Sequence, residues 1–307
     1  VSNKIGSNVC LKVTNLKNKM NNKSKEIIGI IFAIIAYFSF SILDAIQKTA
    51  VIHYSIFQLL FIKYTFVFLL CLIESKRANN VNFYKSNNLK LQFIRSFLSI
   101  LESGFFVLSF KYLSLANAHS IGALAPIIIV ALSVFILNEK VSIKTWIAIF
   151  VGFIGVLIII RPTSDVFNVN SLIPLLAAFF LGLYQIATKK INEYDAPEVS
   201  LFYSSLVGIL VTSIMAFNFW QPVDVKSLYF FVPIGLFFSL GIYFQILALK
   251  NARASIIQPF HYTLIFWAII FGFFFYGDIP DLFTIMGAII ITTSGIFVIN
   301  QTSKKIN

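Results

Sequence analysis

A few ionisable side chains interrupt the long apolar stretches of this sequence. Asp44 and Lys48 are four residues apart, so on a helix they would share one face, with the acid on the favoured N-terminal side. They could bind a substrate or a proton, or form a salt bridge whose lysine extends to the bilayer surface. Lys63 could bind substrate or be a structural partner of Asp44 or Glu102. Ionisable groups within a bilayer are costly, so they usually face a cavity, a pathway or a partner.

A second polar face is formed by Arg95, Ser99 and Glu102, which follow one another at helical spacing. Glu102 falls near the middle of its apolar stretch, where burial favours the neutral form of an acid, as a proton carrier requires. We therefore expect Glu102 to be a proton-coupling carboxylate. We expect Arg95 to bind an anionic group or to pair with an acid.

Other polar residues are also assigned to a substrate or proton pathway. His119 could bind substrate or lie at the membrane interface, and Pro126 should kink its helix or free a backbone carbonyl. The second half of the chain adds aromatic and amide candidates, namely Tyr184, Gln185, Tyr243, Gln258, His261 and Tyr262. The sequence has no metal-binding or catalytic motif, so it predicts no metal, no cofactor and no catalytic residue.

These residues lie on ten apolar stretches that must position them. Hydrophobic residues make up 58% of the 307 residues, charged residues only 12%, and the mean hydropathy is +0.87, which excludes an ordinary soluble domain. About 20 apolar residues cross a bilayer as a helix, whereas barrel strands would alternate in polarity. The sequence therefore predicts an all-α polytopic membrane protein. The ten spans are approximately 27–49, 54–73, 91–110, 117–137, 143–160, 170–189, 198–217, 228–249, 255–276 and 282–300.

The net charge of +12 could indicate a nucleic-acid partner, but the positions of the basic residues favour another reason. With the N-terminus placed in the cytoplasm, 18 of the 24 Lys and Arg residues fall on that side, 4 on the other and 2 within spans. This asymmetry follows the positive-inside rule. We expect a multi-pass protein of a bacterial-type inner (plasma) membrane, with both termini cytoplasmic, a lipid bilayer as its environment and no nucleic-acid partner.

The chain divides into two similar halves. Asp44 and Lys48 end the first span, and Gln185 and Lys189 end the sixth span in the same spacing 141 residues later. We expect a basic tail at 1–25, a first five-helix repeat at 26–162, a second at 170–300 and a cytoplasmic end at 301–307. Residues 1–19 could precede a natural start at Met20, or belong to a genuine basic tail. An odd number of spans per repeat requires that the second repeat be inverted in the membrane.

The two-times-five layout resembles that of the drug/metabolite transporter superfamily, in its ten-helix EamA branch. The motifs that carry the resemblance are Asn138-Glu139-Lys140, Val151-Gly152-Phe153-Ile154-Gly155-Val156 and Arg161-Pro162 in the first repeat, and Gly277-Asp278-Ile279-Pro280, Gly287 and Ser294-Gly295 in the second. Asp278 departs from the family, which usually has Glu there. The spacing of Asp44 and Lys48 is also similar to that in bacterial S-adenosylmethionine uptake carriers. The resemblance implies a site enclosed by the third, fourth, eighth and ninth spans.

The expected function is that of a secondary transporter, working by alternating access as a monomer or a homodimer. Its substrate would be a small polar or zwitterionic metabolite, such as an amino acid, an amine or a nucleoside-like compound of the S-adenosylmethionine kind. Transport would be proton-coupled or an exchange. The alternatives are an intramembrane enzyme and a small-molecule sensor or scaffold. The first lacks a catalytic motif, and the second lacks room for an output domain, so we predict that the chain is not an enzyme.

Overall fold

The computed structural model describes residues 2–113, 118, 121–161, 169–271 and 282–304, and these ranges are helical with no β-strand. His119 and Asp278 lie outside the described residues. In chain order the α-helices are α1 (Ser2–His53), α2 (Ile56–Arg77), α3 (Leu89–Tyr112), α4 (Ala125–Leu137), α5 (Ile143–Ile160), α6 (Leu172–Ile191), α7 (Pro197–Asn218), α8 (Leu228–Asn251), α9 (Ala254–Ile257), α10 (Thr263–Phe271) and α11 (Leu282–Lys304).

Six of these helices, α1, α2, α3, α6, α7 and α8, contain segments long and apolar enough to cross a membrane, and shorter apolar helices lie at Ala125–Leu137, Ile143–Ile159 and Ile285–Phe297. A 3-10 helix, Gln258–Tyr262, joins α9 to α10, so the three form one broken rod. Among the described residues the chain thus has ten helical rods, which confirms the predicted all-α fold. Large apolar side chains such as Phe135 and Phe217 are at least 80% exposed, as expected on a surface that faces lipid.

The structure departs from ten uniform spans in three places. Helix α1 begins at Ser2, so the basic segment before the first apolar stretch is also helical. The fourth stretch is broken by a turn at Ala123 and Leu124, directly before Pro126 in the first turn of α4. The ninth stretch starts with the short α9 and the 3-10 helix. Both broken rods are fourth in their repeat.

Helix packing follows a pseudo-two-fold relation between the repeats. The packing of α1 on α8 corresponds to the packing of α6 on α3. In the same way, the packing of α2 on α8 corresponds to that of α7 on α3. Likewise, α4 contacts α6 as α10 contacts α1, while α2 pairs with its own counterpart α7 and α5 pairs with α11. Each half therefore packs chiefly on the other half, as the two inverted repeats predict.

Polar contacts join the repeats at the end of the bundle where α1 finishes. The Tyr54 hydroxyl donates to Ser227 Oγ at 2.8 Å. Gln58 Nε2 donates to the Gln221 carbonyl, and the Gln221 amide donates to Gln58 Oε1, both at 3.1 Å. Asp224 accepts the Ser227 hydroxyl and amide, and these bonds lower the pKa of Asp224. The α1–α2 connection is thus bonded to the α7–α8 connection.

A matching set of contacts lies at the opposite end. The Asp195 carboxylate, between α6 and α7, accepts hydrogen bonds from the Ser86 hydroxyl, the Asn87 amide and Gln92 Nε2. The last two of these bonds are 2.8 Å long. The α6–α7 connection is therefore bonded to the α2–α3 connection, as the pseudo-two-fold relation requires.

Gly208 allows α7 to approach α2 closely, which yields a test of the packing. A Cβ atom on Gly208 would overlap the Tyr64 ring, whereas one on Gly104 would have its nearest neighbour, Leu60 Cδ1, at 3.9 Å. We expect Gly208→Ala to destabilise the protein by about 1–3 kcal/mol, because the ring cannot move freely in a packed interface. Unfolding of the purified protein in detergent measures the change.

The matched control for this prediction is Gly104→Ala, which makes the same chemical change on a helix with space for the methyl group. It should leave stability unchanged or raise it slightly, since alanine has the higher helix propensity. Equal effects of the two substitutions would contradict the described packing.

Candidate functional site

A central cavity lies between the two repeats. Its empty space, including the part open to solvent, is about 1060 Å³, which is large enough for a metabolite. Helices α1, α3, α6 and α8 line it, together with the broken fourth and ninth rods, and α2 adds one residue, Lys63. These helices form pseudo-symmetric pairs, so both repeats contribute equivalent walls. The resemblance implied only the third, fourth, eighth and ninth spans, and the structure adds the first, second and sixth.

Asp44, Lys63 and Glu102 form the charged group of the cavity, here called the carboxylate–lysine cluster. Lys63 is 2% exposed, and its Nζ donates to Ser103 Oγ at 3.3 Å and lies 4.9 Å from the centre of the Phe238 ring. It lies within electrostatic range of both acids.

The two carboxylates of this cluster are half-buried and face the cavity. Within the part of the chain that the structure describes, neither carboxylate accepts a hydrogen bond or forms an ion pair within 4.0 Å. Both carboxylates therefore face the cavity without a direct partner among the described residues.

Uncharged polar groups form another part of the cavity wall, here called the amide floor. It consists of Tyr37, Gln185 and Gln245, which line the cavity, and Gln258, which lies behind Gln185. Gln258 Nε2 donates to Gln185 Oε1 at 2.8 Å. Tyr37 Oη, Gln258 Oε1 and both polar atoms of Gln245 are buried and have no hydrogen-bond partner among the described residues. Each such group costs about 1–3 kcal/mol. Tyr37 precedes Asp44 by seven helical residues, so the two positions are about 10 Å apart along the axis of α1.

Near the C-termini of α4, α6 and α8, polar contacts join the two repeats. The Glu139 carboxylate accepts the amides of Ala254 and Ser255 and the Ser255 hydroxyl, which caps the N-terminus of α9. Lys189 Nζ donates to the carbonyls of Leu249 and Ala252 at 2.8 and 2.7 Å, at the C-terminus of α8. We call these contacts the closed end. Glu139 belongs to the turn that the family resemblance singled out, and the structure gives it this capping role.

The structure places Arg95 behind the cavity wall. Its guanidinium donates to the Ser200 carbonyl, to Ser204 Oγ at 2.6 Å and to Gln92 Oε1 at 3.3 Å. It lies 5.6 Å from the centre of the Tyr184 ring, and that ring lines the cavity. Arg95 is fully buried and joins α3 to α7, so it supports the wall and does not itself line the cavity.

The other residues expected from the sequence fall into two groups. Those that line the cavity are Asp44, Lys63, Glu102, Tyr184, Gln185, His261 and Tyr262. Lys48 is exposed, Pro126 is buried in α4, Gln258 lies behind Gln185, and the Tyr243 hydroxyl donates to Glu74 Oε2 at 2.7 Å. The structure does not describe His119.

Sequence reasoning missed three polar residues that line the cavity, Tyr37, Gln47 and Gln245. The signal that could have found two of them is the helical spacing along α1, where Tyr37, Phe40, Asp44 and Gln47 follow one another on one face. Gln245 is a single amide in an apolar helix. It carries no charge and stands in no motif, so only the packing of α8 identifies it.

Comparisons with known proteins agree with this architecture. The model of a family described as the EamA-like transporter family matches residues 27–161 and 170–301. An S-adenosylmethionine uptake transporter of Rickettsia bellii is 30% identical over 234 residues, covering 74% of this chain and 80% of that protein. A riboflavin transporter of Vibrio cholerae is 31% identical over 170 residues, covering 55% of this chain and 57% of that protein.

The extent of similarity differs among these relatives. An S-adenosylmethionine uptake transporter of Rickettsia conorii is 29% identical, and the match spans 62% of its length. One solved crystal structure superposes with a TM-score of 0.76 over 92% of this chain and 98% of that chain, at 14% identity. At that identity the superposition shows the shared fold alone.

The role of Arg95 can be tested through stability. We expect Arg95→Met to destabilise the protein by about 2 kcal/mol, because three hydrogen bonds are lost and such bonds in membrane proteins contribute about 0.6–1.7 kcal/mol each. Arg77→Met is the matched control, since that side chain is 77% exposed. Thermal unfolding in detergent measures both. If Arg95→Met unfolds like wild type but abolishes solute binding, Arg95 is a ligand and its structural role is wrong.

Proposed function

Because the chain belongs to the EamA-like transporter family, we propose that it is a secondary carrier that moves a small polar or zwitterionic metabolite by alternating access. The family and the names of its relatives indicate a membrane transporter of small metabolites and not an enzyme. The sequence contains no Walker A motif, so the chain would use a gradient of substrate or of protons.

The observation that carries this proposal is the carboxylate–lysine cluster in a cavity between the repeats. With two acids and one lysine ionised, the cluster has a net charge of −1 and favours a solute with a net positive charge. Lys63 would attract the carboxylate of an amino acid, and Asp44 and Glu102 would attract an ammonium or sulfonium group. S-adenosylmethionine carries all three groups, and a relative that matches 74% of this chain is named for its uptake. Riboflavin lacks them.

Glu102 would couple transport to protons. An acid that binds a cationic solute in one step and a proton in another makes the two compete for one site, which is the requirement for exchange. Asp44 would contact the same solute as Glu102, because both carboxylates lie within electrostatic range of Lys63. When no solute is bound, the positive charge of Lys63 would weaken the binding of other cations in the cavity.

Alternating access requires the closed end to open. The bonds of Glu139 and Lys189 across the repeats would break, while inter-repeat contacts would hold the other end of the bundle. With both termini in the cytoplasm of a bacterial-type plasma membrane, the closed end would be the cytoplasmic one. The basic residue asymmetry of the sequence supports that orientation.

Transport by the purified chain in proteoliposomes tests the proposal directly. Uptake and counterflow would be measured for S-adenosylmethionine, methionine, lysine, adenosine and riboflavin, with and without a proton gradient. We expect a net cationic or zwitterionic solute to move and riboflavin to remain outside. If no solute moves in either direction, the carrier function is wrong.

The cluster itself is tested by Asp44→Asn and Glu102→Gln. We expect each substitution to reduce uptake of the transported solute by about tenfold or more, because each removes a charge that contacts the solute in a low-dielectric cavity. Glu102→Gln should also abolish the response to a proton gradient. Glu193→Gln is the control, since Glu193 is an exposed acid outside the cavity. Wild-type rates in both cavity variants would contradict the assignment.

A further inference from the structure

We propose that the amide floor is a second binding subsite, which takes the edge of a planar nitrogen heterocycle through hydrogen bonds. The inference rests on the proposed function, because it assigns a second part of the same solute to the same cavity. The carboxylate–lysine cluster would hold the charged end of the solute, and the amide floor its uncharged ring.

The unpartnered atoms of the amide floor point to a ligand. Tyr37 is 1% exposed and Gln245 is 2% exposed, yet the Tyr37 hydroxyl and both polar atoms of Gln245 have no hydrogen-bond partner among the described residues. Both side chains line the cavity. The amides of Gln185 and Gln245 lie beside the Tyr37 hydroxyl, near enough to act on it as hydrogen-bonding groups, although their geometry falls short of a formed hydrogen bond. Buried polar groups in proteins are usually bonded, so a polar ligand edge is the missing partner.

The orientation of the amides defines what that edge must offer. Gln185 Oε1 accepts from Gln258, so Gln185 presents its NH₂ group as a donor, and the ligand needs an acceptor opposite it. Neither polar atom of Gln245 is held by a partner, so this amide can rotate to give a donor or an acceptor. The Tyr37 hydroxyl can also do either. A ring that carries an acceptor nitrogen next to a donor, or next to a second acceptor, can form hydrogen bonds with Gln185, Gln245 and Tyr37.

The surroundings favour a flat and uncharged group at this position. Aromatic rings of Tyr37, Phe40, Tyr184 and Tyr262 line the cavity, and their faces can stack on a planar ring. The His261 ring packs edge-on against Tyr37, with the ring centres 5.0 Å apart. The amide floor contains no carboxylate, lysine or arginine, so a charged group gains more at the cluster. The rise of about 10 Å along α1 from Tyr37 to Asp44 suits a solute with a heterocycle at one end and an amino acid at the other.

Two fragments of such a solute separate the subsites. 5′-Methylthioadenosine has the heterocycle without the amino acid, and S-methylmethionine has the cationic amino acid without the heterocycle. Equilibrium binding of each fragment to the purified full chain in detergent would be measured for wild type, Gln245→Leu and Tyr37→Phe. Gln221→Leu is the matched control, because Gln221 is exposed and only its backbone is bonded.

We expect Gln245→Leu to weaken binding of 5′-methylthioadenosine by about tenfold or more, and Tyr37→Phe to weaken it severalfold, because each removes a hydrogen bond made in a buried site. Binding of S-methylmethionine should change by less than twofold in both. Asp44→Asn should give the opposite pattern, and Gln221→Leu should bind both fragments like wild type. Tyr37→Phe keeps the ring, so it decides the test if Gln245→Leu fails to fold.

Three results would overturn the inference. The first is unchanged binding of 5′-methylthioadenosine in both folded floor variants, which would mean that only water fills the amide floor. The second is an equal loss of both fragments. The third is a wild-type protein that does not bind the nucleoside fragment at all. None of these results would contradict the carrier function, because that function is tested separately by solute uptake into proteoliposomes.

Discussion

The cost of placing polar groups in an apolar medium is the constraint on which the rest of this structure depends. Each backbone group within the membrane must be bonded inside the protein, which requires helices, and each buried polar side chain needs a partner or a ligand. Arg95 Nη2 has partners on α7, and Glu139 bonds the start of α9. Four residues with buried polar atoms that lack partners among the described residues line the central cavity, namely Tyr37, Gln47, Tyr184 and Gln245.

The pseudo-two-fold relation gives the two repeats equivalent positions in that cavity but different chemistry. Asp44 in the first span corresponds to Gln185 in the sixth, and both line the cavity. Their neighbours Lys48 and Lys189 differ as well, since Lys48 is exposed and Lys189 bonds the carbonyls at the end of α8. A symmetric framework thus holds an asymmetric site, with both acids in the first repeat and the amides Gln185 and Gln245 in the second. A solute with two unlike ends fits such a site.

The same packing accounts for how the framework could change shape. The halves interlock through α1 on α8 and α6 on α3, so any opening at one end of the bundle moves helices of both repeats. The closed end is held by hydrogen bonds from Glu139 and Lys189 to backbone groups. Under the proposed alternating access, these bonds would break while helices of both halves move together.

The sequence by itself determined the helical membrane fold, the ten rods, the two repeats and the family, because hydrophobic length and repeat layout are local properties that survive any packing. It also identified Asp44, Lys63 and Glu102, since a charge in an apolar stretch is conspicuous. Only the tertiary structure placed Arg95 behind Tyr184, left Lys48 outside the cavity and brought Tyr37 and Gln245 into it. These outcomes depend on which helix packs on which. An amide or a hydroxyl shows its importance only when its surroundings leave it without a partner.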